Sequence, residues 1–127
     1  MHTKEIEAVS SLQPFERYKY FIKKIADSEL VYTLVDTNNR YITSTVDNQE
    51  LFPMWSSKEF VNLCKTSGWE SFLIKELNFD DLENEIFDII ANSNYLINVF
   101  PVYDRTGFVV NLDEFANDLK EELENYS

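Results

Sequence analysis

Side chains that could serve as nucleophiles or proton carriers are scarce in this chain. The single histidine is His2 and the single cysteine is Cys64. His2 lies in segment 1–10, which we expect to be a flexible lead-in, so a histidine-dependent general base would have no fixed position there. Cys64 falls on the apolar face of a predicted helix, where a packing role is typical of cysteine. We therefore predict no catalytic residues and a protein that is not an enzyme.

Carboxylates are abundant, and their spacing suggests loose binding of cations. Two runs, Asp80-Asp81-x-Glu83-x-Glu85 and Glu121-Glu122-x-Glu124, could collect Ca²⁺ or Mg²⁺. Neither run contains the glycine-turned loop that gathers six or more oxygens around calcium. On a helix, only acids three or four residues apart share a face. We predict no metal site and no cofactor.

The acid is distributed unevenly along the chain. The net charge is −12, and from Phe79 to Ser127 twelve acids stand against two bases. Such a surface repels phosphate and attracts cations, so we predict a basic protein partner and no nucleic acid. The candidate partner-binding residues lie opposite the apolar stripes of two predicted helices, and they are Asp81, Glu85, Asp88, Glu114, Asp118 and Glu121. We expect one continuous acidic surface, although these acids could also be solvated helix faces that promote solubility.

Aromatic side chains offer a second kind of site. Trp55 and Trp69 flank a predicted helix, and Tyr103 lies in a predicted turn before Gly107. Aromatic residues commonly line the pockets that bind small molecules. These three residues are therefore the candidate lining of a pocket for a small ligand or a peptide.

Length and composition favour one globular domain. The 127 residues are 44% hydrophobic, and no apolar run approaches the ~20 residues that a membrane span needs. Residues 1–10 lack the apolar core of a secretory signal, and a lone cysteine excludes an internal disulfide. We therefore expect a cytoplasmic protein with no membrane partner. Residues 1–10 would form the lead-in, and residues 11–127 a single domain.

Periodicity and turn residues predict about four helices and five to six short strands. The helices begin at Pro14, Ser56, Asn78 and Asn111 and end near Ser28, Gly68, Asn92 and Leu123. The strands cover 30–35, 40–46, 51–55, 69–77, 96–100 and 108–110. The first two strands indicate a hairpin, and Pro53 should lie at an edge or where pairing ends. Hairpins mixed with single helices predict an α+β fold with one mixed sheet.

The apolar stripes of the predicted elements also identify the core. The residues that we expect to be buried there are Phe60, Leu82, Ile86, Val99 and Phe115. Each is a large apolar residue on the inward face of a helix or strand, where burial is typical.

Three stretches together resemble a known bacterial family. They are 17–24, 51–60, and 99–101 with 107–110 and the acidic last helix. In this order they resemble the family catalogued as domain of unknown function 2750, over about residues 14–126. The resemblance implies a single-domain fold and brings no activity with it. A more distant similarity, at the level of fold, is to the N-terminal domain of SseB-type bacterial proteins.

The sequence thus predicts a non-enzymatic, acidic interaction module that binds a basic protein partner. An immunity-like or inhibitor-like role is the concrete form of that hypothesis. The alternative is a small-ligand or peptide-binding domain with an aromatic pocket, and a third hypothesis is an enzyme that works through its carboxylates. The first predicts salt-sensitive binding to a cationic protein. The second predicts a concave aromatic pocket.

Overall fold

The fold is α+β, as predicted. A computed structural model describes residues 3–65, 68–102 and 105–125. Its helices are α1 (Thr3–Ser10), α2 (Pro14–Ser28), α3 (Lys58–Asn62), α4 (79–93) and α5 (Leu112–Glu124). Its strands are β1 (Leu30–Val35), β2 (Ser44–Val46), β3 (Gln49–Met54), β4 (Leu73–Asn78), β5 (Leu96–Val99) and β6 (Phe108–Val110). Helix α4 is continuous but irregular, because its central part, Leu82–Ile86, is a π-helix.

The strands form two sheets, so the expectation of one mixed sheet is wrong. One sheet is the antiparallel pair β1–β4, and the other has the order β2-β3-β5-β6. The larger sheet is mixed, since β3 and β5 are parallel and its other pairs are antiparallel. A bridge joins the two sheets where Tyr32 and Trp55 exchange backbone hydrogen bonds of 2.9 Å in both directions. The sheets therefore share one core although regular pairing does not continue between them.

The predicted hairpin between 30–35 and 40–46 forms only at its turn. The Asp36 amide donates to the Arg40 carbonyl, and Val35 bridges Tyr41, but regular pairing of the returning strand goes no further. Strand β1 instead pairs along its whole length with β4, from Leu30 opposite Asn78. The segment after Tyr41 turns to β3 and forms β2. This β2–β3 hairpin closes through Asp47-Asn48, whose positive φ angles of 51° and 66° suit a two-residue turn.

Pro53 lies where strand pairing changes. Strand β3 is central in its sheet, but its pairing with β2 ends at Leu51. Beyond that point the Pro53 carbonyl accepts a hydrogen bond of 2.7 Å from the Thr33 hydroxyl of β1. The missing N–H of proline is tolerated where no ladder bond is needed. The prediction that Pro53 lies where pairing ends therefore holds on the side of β3 that faces β2, whereas on the other side Pro53 pairs with Asn98 of β5.

Two elements, the second predicted helix and the strand predicted at 69–77, have other bounds in the structure than the sequence predicts. Helix α3 starts after Ser57, whose side chain makes no capping bond, and it is only five residues long. After the helix, the amides of Leu63 and Cys64 donate to the carbonyls three residues earlier, which is the 3₁₀ pattern. Such 3₁₀ turns are short. Strand β4 begins at Leu73 because Phe72 donates to the Trp69 carbonyl and closes a turn there.

The segment predicted as a flexible lead-in contains a helix. Residues Thr3–Ser10 form α1, in which Val9 is buried and Ile6 packs against the core. Ile6 and Val9 are three residues apart, so they share one face of this helix. Their burial fastens α1 to the domain.

The predicted core is confirmed. Phe60, Leu82, Ile86, Val99 and Phe115 are each at most 1% exposed.

Phe115 of α5 sets the order of three helices. Its ring lies 6.1 Å from the ring of Phe21 on α2 and 6.1 Å from that of Phe87 on α4. Helix α5 thus contacts α2 through one side and α4 through another. This order decides where the acidic side chains point.

Candidate functional site

The first predicted acid, Asp81, helps to start helix α4. The Asn78 side chain accepts from the Asp81 amide at 2.8 Å, and the Asp81 carboxylate accepts from the Asn78 amide at 2.9 Å. This reciprocal pair is a capping box, which satisfies two amides that the first turn leaves without partners. The Asp81 carboxylate therefore has a structural role.

We expect Asp81→Ala to destabilise the protein by about 1 kcal/mol, because the Asn78 amide loses its partner. Asp80→Ala is the matched control. Asp80 is exposed beside Asp81 and its side chain makes no hydrogen bond within the described residues, so its loss should cost only a few tenths of a kcal/mol. Thermal melts of both variants measure the difference. Equal destabilisation would contradict the capping role.

Glu85 of α4 is held by Tyr41. The Tyr41 hydroxyl donates to the Glu85 carboxylate at 2.5 Å, and its ring packs 5.6 Å from that of Phe52 on β3. Burial raises the pKa of Tyr41, and the hydrogen bond to Glu85 and the charges of Glu85 and Asp81 raise it further. Asp81 and Glu85 therefore lie together near Tyr41.

Asp118 of α5 is held in the same way by a different tyrosine. The buried Tyr18 of α2 donates to the Asp118 carboxylate at 2.6 Å. Burial raises the pKa of Tyr18 most, and the bond to Asp118 and the charges of Asp118 and Glu114 add to the shift. Glu121 lies in the same region, in a groove of about 440 Å³ that Lys19 of α2 also lines. The α5 acids therefore face α2.

The six predicted acids thus do not meet on one face. Asp81 and Glu85 lie towards Tyr41, whereas Glu114, Asp118 and Glu121 lie towards α2. Another side of α5 meets α4 across an apolar groove of about 290 Å³, lined by Phe79, Leu82, Glu83, Phe87, Ala116, Leu119, Lys120 and Leu123. Asp88 is exposed on α4. The expectation of one continuous acidic surface is therefore replaced by two acidic faces on neighbouring helices.

The ion pairs in the described part of the chain lie away from these acids. Ion pairs formed by the described residues include Lys19–Glu16, Lys24–Glu5 and Arg40–Asp36, all within the first forty residues. Within the described part of the chain, ten acids of α4 and α5 form none, and they are Asp80, Asp81, Glu83, Glu85, Asp88, Asp113, Glu114, Asp118, Glu121 and Glu122. The negative charge of these two helices is therefore not neutralised locally.

The predicted aromatic pocket is not formed around Trp55. Trp55 is completely buried, and its indole N–H donates to the Pro101 carbonyl at 2.7 Å. Trp69 is half-buried and packs edge-on against Trp55 with ring centroids 6.1 Å apart. Tyr103, the third predicted lining residue, lies outside the described residues. A side chain without exposed surface cannot contact a ligand, so Trp55 belongs to the core.

Cys64 also belongs to the core. It is 3% exposed, and its thiol donates to the same Pro101 carbonyl that Trp55 contacts. Among the described residues, no group of three or more histidine, cysteine or acidic side chains could hold a metal ion.

A cavity at the start of α2 has no counterpart among the sites predicted from the sequence. It has a volume of about 570 Å³, and both Arg17 and Arg105 line it. Arg17 is 3% exposed and donates to two backbone carbonyls, those of Phe100 at 3.2 Å and Leu12 at 2.5 Å. Burial, and then the charge of Arg105, lower the pKa of Arg17. One sequence signal could have found this residue, since Arg17 lies four positions before the core residue Phe21 and so shares its helix face.

The fold and these sites define a small α+β domain with acidic helices and a cavity lined by two arginines. Residues 18–119 match the family described as "Protein of unknown function (DUF2750)", and the chain belongs to that family. This confirms the family resemblance seen in the sequence. A search of curated proteins found no match. The similarity to SseB-type proteins stays a prediction.

No helix within the described ranges has the length and apolarity needed to cross a membrane.

Proposed function

We propose that this protein is a non-enzymatic interaction module whose α4 and α5 helices present acid to a basic protein partner. The observation that supports this is the set of ten acids on these helices that form no ion pair in the described part of the chain. Like charges three or four residues apart destabilise a helix by a few tenths of a kcal/mol per pair. A cationic partner would relieve that repulsion.

The groove between α4 and α5 fits such a partner in shape and chemistry. Its floor is apolar and includes Phe79, Phe87 and Leu123, and its charged lining residues are Glu83 and Lys120. An amphipathic basic segment could place apolar side chains in the groove and its lysines or arginines towards Glu83 and the neighbouring exposed acids of α4. Proteins that neutralise cationic toxins or nucleases work through acidic surfaces of this kind, so an immunity-like or inhibitor-like role in the cytoplasm is the concrete form of the proposal.

Binding is favoured over catalysis because the carboxylates nearest to buried groups already have structural partners. The Asp81 carboxylate caps α4, and the carboxylates of Glu85 and Asp118 accept hydrogen bonds from Tyr41 and Tyr18. A general acid or base must instead be free to exchange a proton with a substrate.

Charge reversal tests the proposal with exposed acids that hold no tyrosine; Glu114 and Glu121 accept only long side-chain hydrogen bonds of 3.4 Å, from Asn111 and Asn117. The α4 variant carries Glu83→Lys and Asp88→Lys, and the α5 variant carries Glu114→Lys and Glu121→Lys. Each substitution changes the charge by two units, so each pair raises the net charge of −12 by four. We expect the affinity for a basic partner captured from the source cells to fall by about tenfold or more in at least one variant, which is ~1.4 kcal/mol.

The control for this experiment is Glu7→Lys with Glu70→Lys, which makes the same charge change at exposed sites outside α4 and α5. Affinity should also weaken as salt rises, mainly through slower association, because charges on exposed surfaces are screened within ~10 Å at 0.1 M salt. Calorimetry or surface plasmon resonance measures both effects. An affinity indifferent to salt and to both reversals would reject the proposal.

A further inference from the structure

Arg17 is a buried cation whose known contacts, among the described residues, are with neutral groups. Its two hydrogen bonds reach neutral carbonyls, those of Phe100 and Leu12. Within the described residues it forms no ion pair, although it is only 3% exposed. A buried charge is expensive unless an opposite charge accompanies it. The missing partner therefore needs an explanation.

A second arginine lies at the same cavity. Arg105 is exposed, lines the cavity with Arg17, and is close enough for its charge to act on Arg17. It too forms no ion pair within the part of the chain that the structure describes. Glu7 also lines the cavity, but it is in none of the ion pairs found among the described residues. Two like charges in one cavity repel each other unless an anion lies between them.

The lining supplies further polar groups. Ser10 is 5% exposed, and its hydroxyl has no hydrogen-bond partner in the described residues. Thr106, next to Arg105, contributes another hydroxyl to the lining residues. Buried polar groups are nearly always hydrogen-bonded, so an unpartnered hydroxyl in a cavity wall marks a place for a ligand or water. A volume of about 570 Å³ is also in the range of small-molecule sites.

We propose that this cavity binds a small organic anion, whose carboxylate or phosphate group is held between Arg17 and Arg105 with the hydroxyls of Ser10 and Thr106 nearby. Arginine suits this role because its planar guanidinium donates two parallel bonds to a carboxylate or phosphate. The site does not depend on the acidic faces of α4 and α5. The proposal therefore stands or fails separately from that of a basic partner.

The overall charge makes this inference specific. A chain of net charge −12 repels anions at long range, so general electrostatic attraction would not bring an anion to it. Binding must come from the local pair of arginines. Saturable binding of an anion by this acidic protein is therefore informative, and it should depend on these two side chains.

The test uses the full chain with inorganic phosphate and succinate as probes, and sodium chloride at equal ionic strength as the reference. Calorimetry measures binding, and thermal melts measure stabilisation, which grows with the logarithm of probe concentration above the Kd. Saturable binding of either probe supports the proposal. A response to phosphate alone indicates a phosphate-bearing ligand, and a response to succinate alone indicates a carboxylate.

Variants separate the site from general salt effects, since phosphate stabilises many folded proteins. Arg105 is exposed, so Arg105→Gln should fold, and we expect it to weaken binding by about tenfold or more. Arg40→Gln removes the same charge from an exposed arginine elsewhere and should bind as the wild type does. Arg17→Lys keeps the charge but not the two-pronged geometry and should also weaken binding. The proposal is overturned if neither probe binds beyond the chloride reference, or if Arg105→Gln binds as tightly as the wild type.

Discussion

Phe115→Ala is expected to destabilise the protein by about 3–5 kcal/mol, a large share of the ~5–15 kcal/mol that holds a small domain folded. Phe115 is 0% exposed and touches Phe21 of α2 and Phe87 of α4. Truncation would leave a cavity at the point where three helices meet, and none of them can close it without moving from the others. Denaturant unfolding followed by circular dichroism measures this loss.

Phe15→Ala is the matched control for this truncation. Phe15 also packs on aromatic rings, with centroids 5.3 Å from Phe108 and 6.4 Å from Tyr18, but it is 49% exposed. It therefore buries less apolar surface, and its loss should cost less than half as much as that of Phe115. Similar midpoints for Phe115→Ala and the wild type would contradict the central position of this ring.

Gly107→Ala is the second substitution with a large expected effect. A Cβ atom at this position would overlap the Val99 carbonyl oxygen and lie 2.8 Å from the carbonyl carbons of Val99 and Phe100. All three contacts are with backbone, which cannot move aside as a side chain can. The Gly107 amide also donates to the Asn98 side chain at 2.8 Å, and Asn98 is buried. Relief of the overlap must therefore separate the start of β6 from β5.

We expect Gly107→Ala to cost roughly 3–5 kcal/mol, at the upper end of single substitutions. The control is Gly68→Ala. Gly68 has a φ of +87°, which strains alanine, but no atom lies within 4 Å of the added Cβ, so the cost there should be about 1–2 kcal/mol. Thermal unfolding of the two variants compares steric overlap with conformational strain. A smaller loss for Gly107→Ala than for Gly68→Ala would show that the β5–β6 contact is looser than the structure has it.

Much of the local structure could be predicted from the sequence, because local patterns determine it. Strand β1 was predicted at 30–35 and β6 at 108–110, and both have those bounds. The Asn111 cap of α5 also forms, since its side chain accepts from the Glu114 amide at 2.8 Å.

The pairing of the strands could not be predicted in this way. The turn residues at Asp36–Arg40 predict a hairpin, and the turn does form. Strand β1 nevertheless pairs with β4, which is distant in the sequence. A strand's partner depends on which apolar faces fit together in the core, and that fit involves residues distant in sequence.

The candidate site also has some features that the sequence could predict and others that it could not. Charge counts located the acid on α4 and α5 but not the tyrosines that hold two of those carboxylates. Tyr18 and Asp118 are a hundred residues apart, and no local pattern links them. Asn78 followed by Asp81 is itself a capping-box spacing, so the structural role of Asp81 could have been recognised from the sequence. The burial of Arg17 depends on the fold, although its position four residues before Phe21 is a sequence signal for the inward face of α2.

The strand pairing also has a consequence for the order of folding. The β2–β3 hairpin is closed by a two-residue turn, so it can form locally and early. The parallel pair β3–β5 requires Leu51 to meet Leu96, and α3, β4 and α4 lie between them in the sequence. The pair β1–β4 likewise joins strands that are separated in the sequence by β2, β3 and α3. Contacts between such distant residues slow folding, because the closure entropy must be overcome before they form. A ribosome must therefore release most of this chain before either sheet can be completed.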